Sequence, residues 1–308
     1  MVILGGAPPA LTVRNGVYKG REMPANEGID VHPVHPRGRQ YNSAPWAFPE
    51  RALQSKDLFD SWERLAGQVS AAARLTLFLD FDGTLAPFRL RPDRVRLAHS
   101  TRRVLERLAR HPKNTIWIIS GRRSADVRLR AGVGGIHYLG MHGWEDEDRP
   151  LRLGPAQRKH LRAARERFAD QLQGLRGLWI EDKQFSFTIH YRGAPPALVR
   201  RAQGMVCNVL DGFQPHLRRL AGNSAWEILP TIAGDKGVAV RRVLRRLGGS
   251  PLVIYVGDDG TDELAFAALP RGLTICVAPG RDTRAKFAVR STTEVRRFLR
   301  MLLKELSA

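Results

Sequence analysis

Residues 75–84 read LTLFLDFDGT, and this stretch decides how the rest of the chain is interpreted. The apolar run of residues 75–79 is followed directly by two acidic residues, Asp80 and Asp82, and then by a Gly–Thr pair. A short apolar run of this kind is typical of a strand that is buried on both faces of a parallel sheet. Because ligands bind beyond the carboxyl ends of the strands in open α/β sheets, we expect a functional site at Asp80.

Strand-like runs alternate with helical patterns along much of the chain. Further apolar runs lie at residues 115–119, 136–139, 252–256 and 273–277. Helical patterns lie around residues 101–109, 125–131, 237–247 and 262–268. This alternation predicts an α/β fold with an open, mostly parallel Rossmann-like sheet as its core.

Residues 148–227 depart from that alternation. Their patterns predict, in chain order, a helix over 157–172, strands over 178–182 and 186–191, a helix over 195–210, and strands over 217–221 and 225–229. This order favours a smaller α+β cap domain inserted between the third and fourth strands of the main sheet. The core domain is then expected to comprise residues 73–147 and 228–308.

Residues 1–72 are expected to form an N-terminal extension. Seven prolines and six glycines occur in the first 50 residues, a composition that disfavours a packed core, so we expect partial disorder. The spacing of Leu58, Trp62, Leu65 and Val69 predicts a helix over residues 53–69. A disordered tail, a dimerising helix and a docking segment for a partner remain open as roles for the extension.

Composition limits the classes of function. The 308 residues carry a formal net charge of +20, but the excess is spread along the chain rather than clustered in a basic arm, so we expect no nucleic-acid binding. No apolar run reaches the roughly 18 residues that span a membrane, and we expect no membrane association. The two cysteines, Cys207 and Cys276, lie in apolar stretches. They favour a reducing, cytoplasmic location over a disulfide scaffold.

The acidic pair after the first strand has the spacing that phosphate chemistry requires. Asp80 and Asp82 are two residues apart, so in an extended chain both side chains project to the same side. One carboxylate of such a pair can attack as a nucleophile while the other transfers a proton, and crowding separates their pKa values. Gly83 and Thr84 can turn the chain and offer backbone N–H groups to a phosphate.

Two more polar motifs follow predicted strands or open predicted helices. Ser120, with Gly121 and Arg122, ends the run at residues 115–119, and its hydroxyl can hold a phosphate oxygen. Lys236 opens the helical pattern at residues 237–247, where a lysine adds a positive charge to an anion site at the helix N-terminus.

Three aspartates follow the run at residues 252–256. Asp258, Asp259 and Asp262 lie within five residues, and their charges repel one another unless a cation is present. Mg²⁺ prefers oxygen ligands and needs only one or two carboxylates beside the substrate phosphate. We therefore expect Asp80 and Asp258, from neighbouring strands, to share one Mg²⁺ ion.

The order of these motifs resembles that of the haloacid dehalogenase superfamily of phosphotransferases. Longer blocks are similar to the trehalose-6-phosphate phosphatase family, over about residues 75–303 and not over the first ~70. These blocks are residues 80–87 (DFDGTLAP), 119–122 (ISGR), 140–145 (GMHGWE), 180–192 (IEDKQFSFTIHYR) and 255–266 (YVGDDGTDELAF).

The resemblance implies a role for each matching residue. Asp80 is expected to be the nucleophile, Asp82 the general acid and base, and Ser120 and Lys236 the groups that hold the phosphoryl group. The metal ligands are expected to be Asp80, the backbone carbonyl of Asp82 and Asp258, with Asp259 and Asp262 supporting them. The expected substrate contacts are Gly83, Thr84, Gly121, Arg122, His142, Glu145, Glu181, Lys183 and Arg192.

The resemblance also implies a function. The family hydrolyses trehalose 6-phosphate to trehalose and phosphate with Mg²⁺, through an aspartyl-phosphate, and we expect the same here. Two alternatives stay open: a phosphatase of another sugar phosphate, and a non-enzymatic module that binds sugar phosphates or supports a partner synthase. A trehalose-phosphate synthase also stays open as a protein partner. Glu145 is followed by further acidic residues, and Gln184 stands where the family pattern has a small residue, so sugar selectivity is open.

Overall fold

The computed structural model describes residues 55–88, 92–146, 151–222, 224–278 and 282–307. The predicted disorder before residue 55 lies outside the described residues. The strands in chain order are β1 (Lys56–Asp57), β2 (Leu75–Leu79), β3 (Asn114–Ile119), β4 (His137–Gly140), β5 (Glu145–Asp146), β6 (Trp179–Asp182), β7 (Phe187–His190), β8 (Leu217–Gly222), β9 (Ala225–Pro230), β10 (Leu252–Gly257), β11 (Leu273–Val277) and β12 (Phe287–Val289). The helices are α1 (Trp62–Ala71), α2 (His99–Arg110), α3 (Ser124–Ala131), α4 (Pro155–Leu172), α5 (Pro196–Asp211), α6 (Lys236–Leu247), α7 (Asp262–Ala268) and α8 (Thr292–Leu306).

Eight strands form one sheet in the order β1-β12-β11-β10-β2-β3-β4-β5. Every neighbouring pair is parallel except β4 and β5, which are antiparallel. Residues of β2 alternate between two apolar layers, so Leu77 packs with α1, α2, α3 and α8, and Phe78 packs with α6 and α7 on the opposite face. The predicted α/β fold with an open, mostly parallel sheet is therefore confirmed.

Four further strands form a second sheet in the order β6-β7-β9-β8, with every neighbouring pair antiparallel. One of its faces is apolar, since Phe187, Ile189 and Ile228 pack against α4 and α5. The side chains of the alternate residues point to the other face of this sheet, which does not pack against α4 and α5. This unit is the smaller α+β unit that the sequence predicts between β4 and β10, while the residue limits of the domains stay a prediction.

The segment before residue 73 corrects one expectation. Residues 56 and 57 form the outer strand β1, which pairs with β12, and α1 begins at Trp62 rather than near residue 53. Leu58, Leu65 and Val69 are buried in the main core, and the Trp62 ring lies edge-on to Phe298 at 5.9 Å. Residues 55–72 therefore belong to the main fold, because the apolar stripe that predicted the helix packs on α8 and the sheet.

Among the described residues, no helix combines the length and the apolar character needed to cross a bilayer.

Candidate active site

The three polar motifs meet because β10, β2 and β3 are neighbours in the sheet. Parallel strands end at the same edge, so Asp80 after β2, Ser120 after β3 and Asp258 after β10 converge there. The Asp80 backbone N–H donates to Val256 O at 2.9 Å, which extends the β2–β10 ladder into the site. The predicted convergence thus has a simple origin in the strand order.

Lys236 is the cation at the centre of this edge. Its side chain is buried, and Nζ donates to Asp80 Oδ1 and to Asp262 Oδ1, each at 2.8 Å. It is placed by the first turn of α6, where the Asp235 side chain accepts a hydrogen bond from Val238 N–H at 2.9 Å. Burial alone would lower the pKa of Lys236, but the carboxylates of Asp262 and Asp80 raise it well above its ordinary value.

Asp80, Asp258 and Asp262 form a carboxylate cluster, in which one oxygen of each lies within 4.8 Å of the others. Burial raises the pKa of Asp80 to about 8 against the opposing charge of Lys236. Burial, and next the charge of Asp80, raise the pKa of Asp258 to about 10. Crowded carboxylates whose ionisation is this unfavourable match the hard oxygen ligands that a divalent cation prefers.

The backbone at Gly83 brings the turn after Asp82 close to Asp258 of the carboxylate cluster. This residue adopts φ 89°, and a Cβ there would collide with Asp258 Oδ2. The turn after Asp82 therefore comes as close to Asp258 as only glycine permits. Thr84 completes the contact, since its hydroxyl donates to Asp258 Oδ1 at 3.2 Å.

Both oxygens of Asp262 are already hydrogen-bonded. Oδ1 accepts from Lys236 and from the Tyr255 hydroxyl at 2.7 Å, and Oδ2 accepts from the N–H groups of Asp258 and Asp259 at 3.0 Å each. A cation at the cluster would thus have to compete with four protein donors for the oxygens of Asp262. The arrangement leaves Asp262 to orient the loop that carries Asp258.

Asp82 is held by Arg122. Arg122 Nε donates to Asp82 Oδ2 at 2.7 Å and Nη2 donates to Oδ1 at 2.8 Å, a bidentate ion pair. The third nitrogen, Nη1, donates to Asp126 at 3.0 Å, and Arg130 Nε donates to the same oxygen at 2.7 Å. Sequence reasoning missed Asp126 and Arg130, because an i,i+4 pair on a helix looks like an ordinary surface pair.

A third missed residue is Glu227 on β9, a lone acid in the apolar stretch of residues 225–230. Its Oε2 accepts from Lys183 Nζ at 3.0 Å and lies 2.9 Å from His142 Nε2, and its Oε1 accepts from the Ser186 hydroxyl at 2.6 Å. Burial alone would raise the pKa of Glu227, but the charges of Lys183 and His142 hold it well below its usual range. The sequence signal was present, since an acid in a buried strand needs a partner.

Glu145 lies elsewhere than sequence reasoning placed it. Its carboxylate accepts from Arg123 Nη2 at 2.8 Å and from Ser124 N–H at 2.7 Å, at the N-terminus of α3. Arg123 also donates to Gln184 Oε1 at 2.6 Å. The Glu145 side chain therefore organises the loop after β3, with Gln184 of the smaller unit attached through Arg123.

The two sheets enclose a cavity of about 520 Å³. Predicted site residues that line it are Asp80, Asp82, Ser120, Gly121, Arg122, His142, Glu181, Lys183, Arg192, Lys236 and Asp259. Predicted residues that lie beside it without lining it are Gly83, Thr84, Glu145, Asp258 and Asp262. Arg192 Cζ lies 4.9 Å from the centre of the Phe88 ring, which lines the same cavity.

A parallel sheet with an aspartate pair, a lysine and an acidic loop at one edge, covered by an inserted α+β unit, defines a phosphotransferase of the haloacid dehalogenase superfamily. The model of the trehalose-phosphatase family matches residues 78–294. The chain therefore belongs to the trehalose-phosphatase family.

Relatives and solved structures agree with this assignment. A probable trehalose-phosphate phosphatase 3 of Oryza sativa is 30% identical over 269 residues, covering 77% of this chain and 72% of that protein. The trehalose-phosphate phosphatase of Mycobacterium tuberculosis is 35% identical over 254 residues, covering 76% and 63%. The C-terminal domain of Candida albicans trehalose-6-phosphate phosphatase has a TM-score of 0.70 at 23% identity, covering 81% of this chain and 98% of that domain. The Aspergillus fumigatus enzyme has a TM-score of 0.57 at 26% identity.

Proposed function

We propose that the protein is a phosphoric monoester hydrolase that releases phosphate from trehalose 6-phosphate with the help of Mg²⁺. The observation that carries this proposal is the meeting of Asp80, Lys236 and Asp258 at one sheet edge, beneath a cavity that the smaller unit closes with polar side chains. The relatives named as trehalose-phosphate phosphatases support the choice of substrate.

In the first step a carboxylate oxygen of Asp80 attacks phosphorus, and the bond between phosphorus and the sugar oxygen breaks. Asp82 gives its proton to that oxygen, so trehalose leaves as a neutral alcohol and the phosphoryl group stays on Asp80. Both Asp82 oxygens accept from Arg122 in this structure, so one of the two hydrogen bonds must open before Asp82 can carry the proton. The remaining bond then fixes the direction in which Asp82 points, while Asp126 keeps the guanidinium in place.

In the second step a water molecule attacks the phosphoryl group and gives its proton to Asp82. The bond between phosphorus and the Asp80 oxygen breaks, and phosphate is released with both aspartates restored. Lys236 and Ser120 hold phosphoryl oxygens through both steps, since phosphoryl transfer depends mainly on positioning and neutralised charge.

The carboxylate cluster fits a magnesium ion held by Asp80, Asp258 and the backbone carbonyl of Asp82. These are hard oxygen donors, and the oxygens of Asp262 are taken by other hydrogen bonds. When bound, Mg²⁺ neutralises phosphoryl charge and counters the repulsion between the two carboxylates.

We assign residues 148–227, which include the first half of β9, to a cap that covers the site. Its sheet directs Glu181, Lys183 and Glu227 into the cavity, where carboxylates and an ammonium form charge-assisted hydrogen bonds to sugar hydroxyls. Lys183 also donates to Gly121 O at 3.2 Å, which ties the cap to the core loop after β3. His142 and Arg192 complete the proposed set of sugar contacts.

The decisive experiment measures phosphate release from trehalose 6-phosphate and from glucose 6-phosphate, each with and without Mg²⁺. We expect rapid release from trehalose 6-phosphate that requires Mg²⁺, and at least tenfold slower release from glucose 6-phosphate. A protein that hydrolyses both equally would be a general sugar phosphatase. A protein that binds either compound without releasing phosphate would be a binding module.

Two further proposals concern the setting of the enzyme. We propose a cytoplasmic location, supported by Cys207 and Cys276, neither of which forms a disulfide. We also keep association with a trehalose-phosphate synthase as a proposal, tested by whether the two proteins elute together in gel filtration. Separate elution at micromolar concentrations would end it.

A further inference from the structure

Two complete rows of the cap sheet line the cavity. In the first row the paired residues are Trp179, His190, Ala225 and Gly222, and in the second they are Glu181, Thr188, Glu227 and Leu220. Residues paired across neighbouring strands project to the same face, so each row presents one continuous strip to the cavity. The strips differ in character: the first is aromatic at one end and small at the other, and the second is mainly polar.

Trp179 stands out because its indole is 48% exposed within the cavity wall. One face of the ring is covered by His190, whose ring is stacked on it at 3.9 Å and 15°. Glu181 fixes His190 in turn, with Oε2 2.8 Å from Nε2. The exposed area therefore belongs to the remaining face and edge of a ring that is already held in place.

Thr188, in the neighbouring row, has a side chain that is only 4% exposed. Its hydroxyl finds no hydrogen-bond partner among the described residues. A buried hydroxyl without a partner costs free energy unless a ligand satisfies it. Because Thr188 lines the cavity, the missing partner is expected from a bound molecule.

An aromatic face beside a hydroxyl is the chemistry that binds a sugar ring. The face of an aromatic ring is electron-rich and attracts the C–H groups of a pyranose, while hydroxyls at the ring edge need polar partners. The first row, from Gly222 to Trp179, is also long enough to reach from the acidic loop to a second sugar ring. A Cβ at Gly222 would lie 3.7 Å from Asp259 Oδ2, so one end of the row adjoins the acidic loop. Trp179 lies three strand spacings away, about 14 Å.

We propose that Trp179 and Thr188 form a subsite for the second sugar ring of the substrate, the ring that carries no phosphate. The indole supplies a platform for one face of that ring, and the Thr188 hydroxyl bonds to one of its hydroxyls. The subsite distinguishes a disaccharide phosphate from a monosaccharide phosphate. This inference rests on the proposed function, because it presupposes that the phosphate end occupies the site at Asp80.

The test compares Trp179→Ala, Trp179→Phe and Thr188→Val with the wild type on trehalose 6-phosphate, glucose 6-phosphate and p-nitrophenyl phosphate. We expect Trp179→Ala to raise the KM for trehalose 6-phosphate at least tenfold, Thr188→Val to raise it about fivefold, and Trp179→Phe to retain most of the affinity. The kcat should stay within about twofold. The KM values for the other two substrates should also stay within twofold, because neither has a second sugar ring.

Two control variants lie outside the cavity lining. Leu129→Ala removes another exposed apolar side chain, and Thr231→Val removes a hydroxyl that donates to Pro215 O at 2.8 Å. Neither should change the KM for trehalose 6-phosphate. Thr188→Val removes an unpartnered hydroxyl and should fold at least as stably as the wild type, which circular dichroism checks. Inhibition by free trehalose gives a second readout, and its inhibition constant should rise in Trp179→Ala.

The outcomes separate the inference from the function on which it rests. A wild type that hydrolyses p-nitrophenyl phosphate with Mg²⁺ but does not prefer trehalose 6-phosphate would overturn the proposed substrate, and the subsite with it. A wild type that prefers trehalose 6-phosphate, with Trp179→Ala and Thr188→Val keeping wild-type KM and trehalose inhibition, would overturn the subsite alone.

Discussion

At the scale of single residues, Asp80 combines two properties that suit its proposed role as a nucleophile. Lys236 Nζ donates to Asp80 Oδ1 at 2.8 Å, and Asp80 lines the cavity. The lysine also balances part of the negative charge that the acidic loop places nearby. The same residue is thus both oriented and partly neutralised by one contact.

Replacing Asp80 with Asn should abolish turnover and preserve the fold. The amide keeps the shape of the carboxyl group but cannot form the phosphoryl bond, so we expect a loss of about 10³-fold or more in phosphate release. Circular dichroism should match the wild type. Asp211→Asn, at an exposed position on α5, serves as the control and should leave the rate unchanged. A rate near that of the wild type for Asp80→Asn would refute covalent catalysis by this residue.

Glu227→Gln should destabilise the protein in a pH-dependent way. The folded-state pKa of Glu227 lies below its ordinary value, so its ion pairs stabilise the fold above about pH 4.3, the pKa of the carboxyl group in the unfolded chain. This contribution is lost as the pH falls through the acidic range. We expect a loss of about 3 kcal/mol in the free energy of unfolding at pH 7 and a smaller difference near pH 3.

Urea titrations at both pH values measure this difference. Glu166→Gln, at an exposed position on α4, is the control and should stay within about 0.5 kcal/mol of the wild type. An unchanged gap between wild type and Glu227→Gln from pH 7 to pH 3 would contradict the assignment of the ion pairs.

At the scale of elements, strand ends and helix starts carry the site. β2, β3 and β10 each end at a polar residue of the site, and α6 begins with Lys236. Elements with buried apolar faces are rigid, so the side chains at their ends keep their positions. The proposed cap positions its side chains in another way. One face of its sheet packs on α4 and α5, and residues on the opposite face line the cavity.

The helix cap at Asp235 should connect stability with catalysis. Asp235→Ala removes the hydrogen bond to Val238 N–H and should cost about 1 kcal/mol of stability. Because Lys236 is the first residue of this helix, kcat should fall as well, by roughly tenfold. Ser291→Ala is a matched control, since Ser291 caps α8 by accepting from Glu294 N–H at 3.3 Å. It should lose similar stability, measured by thermal unfolding, and keep its kcat.

At the scale of the whole molecule, the carboxylate cluster should make the affinity for Mg²⁺ depend on pH. Burial raises the pKa of both Asp80 and Asp258 in the metal-free protein, which favours their protonated forms. Binding of Mg²⁺ requires both carboxyl groups to be ionised, so we expect net release of protons on binding near pH 7. The affinity for Mg²⁺ should therefore rise as the pH increases from 7 to 9.

Calorimetric titration of Mg²⁺ in buffers of different ionisation enthalpy counts the released protons. The Asp258→Asn variant should bind Mg²⁺ far more weakly and release fewer protons. Binding of Mg²⁺ to the wild type without proton release at pH 7 would show that the two carboxyl groups are already ionised.

Much of the fold and the catalytic edge could be predicted from local patterns. Asp80, Ser120 and Asp258 each follow an apolar run, and neighbouring parallel strands must bring their ends together. The short strands could not be predicted, because they are defined by pairing with other strands. β1, β5 and β12 have two or three residues each, too few for a visible period. The helix α8 is an exception, because the apolar spacing of Val295, Phe298 and Leu302 is present in the sequence.

The sequence by itself determined the class of fold and the strand ends at which the polar motifs lie, because both are written in short motifs and in a period of a few residues. The tertiary structure decided which side chains of the smaller sheet line the cavity. Strand register across the cap sheet places Thr188 beside both Glu181 and Glu227, and sets His190 against Trp179. That register follows from the packing of the whole sheet against its helices, and a one-residue shift would turn every one of these side chains away from the cavity.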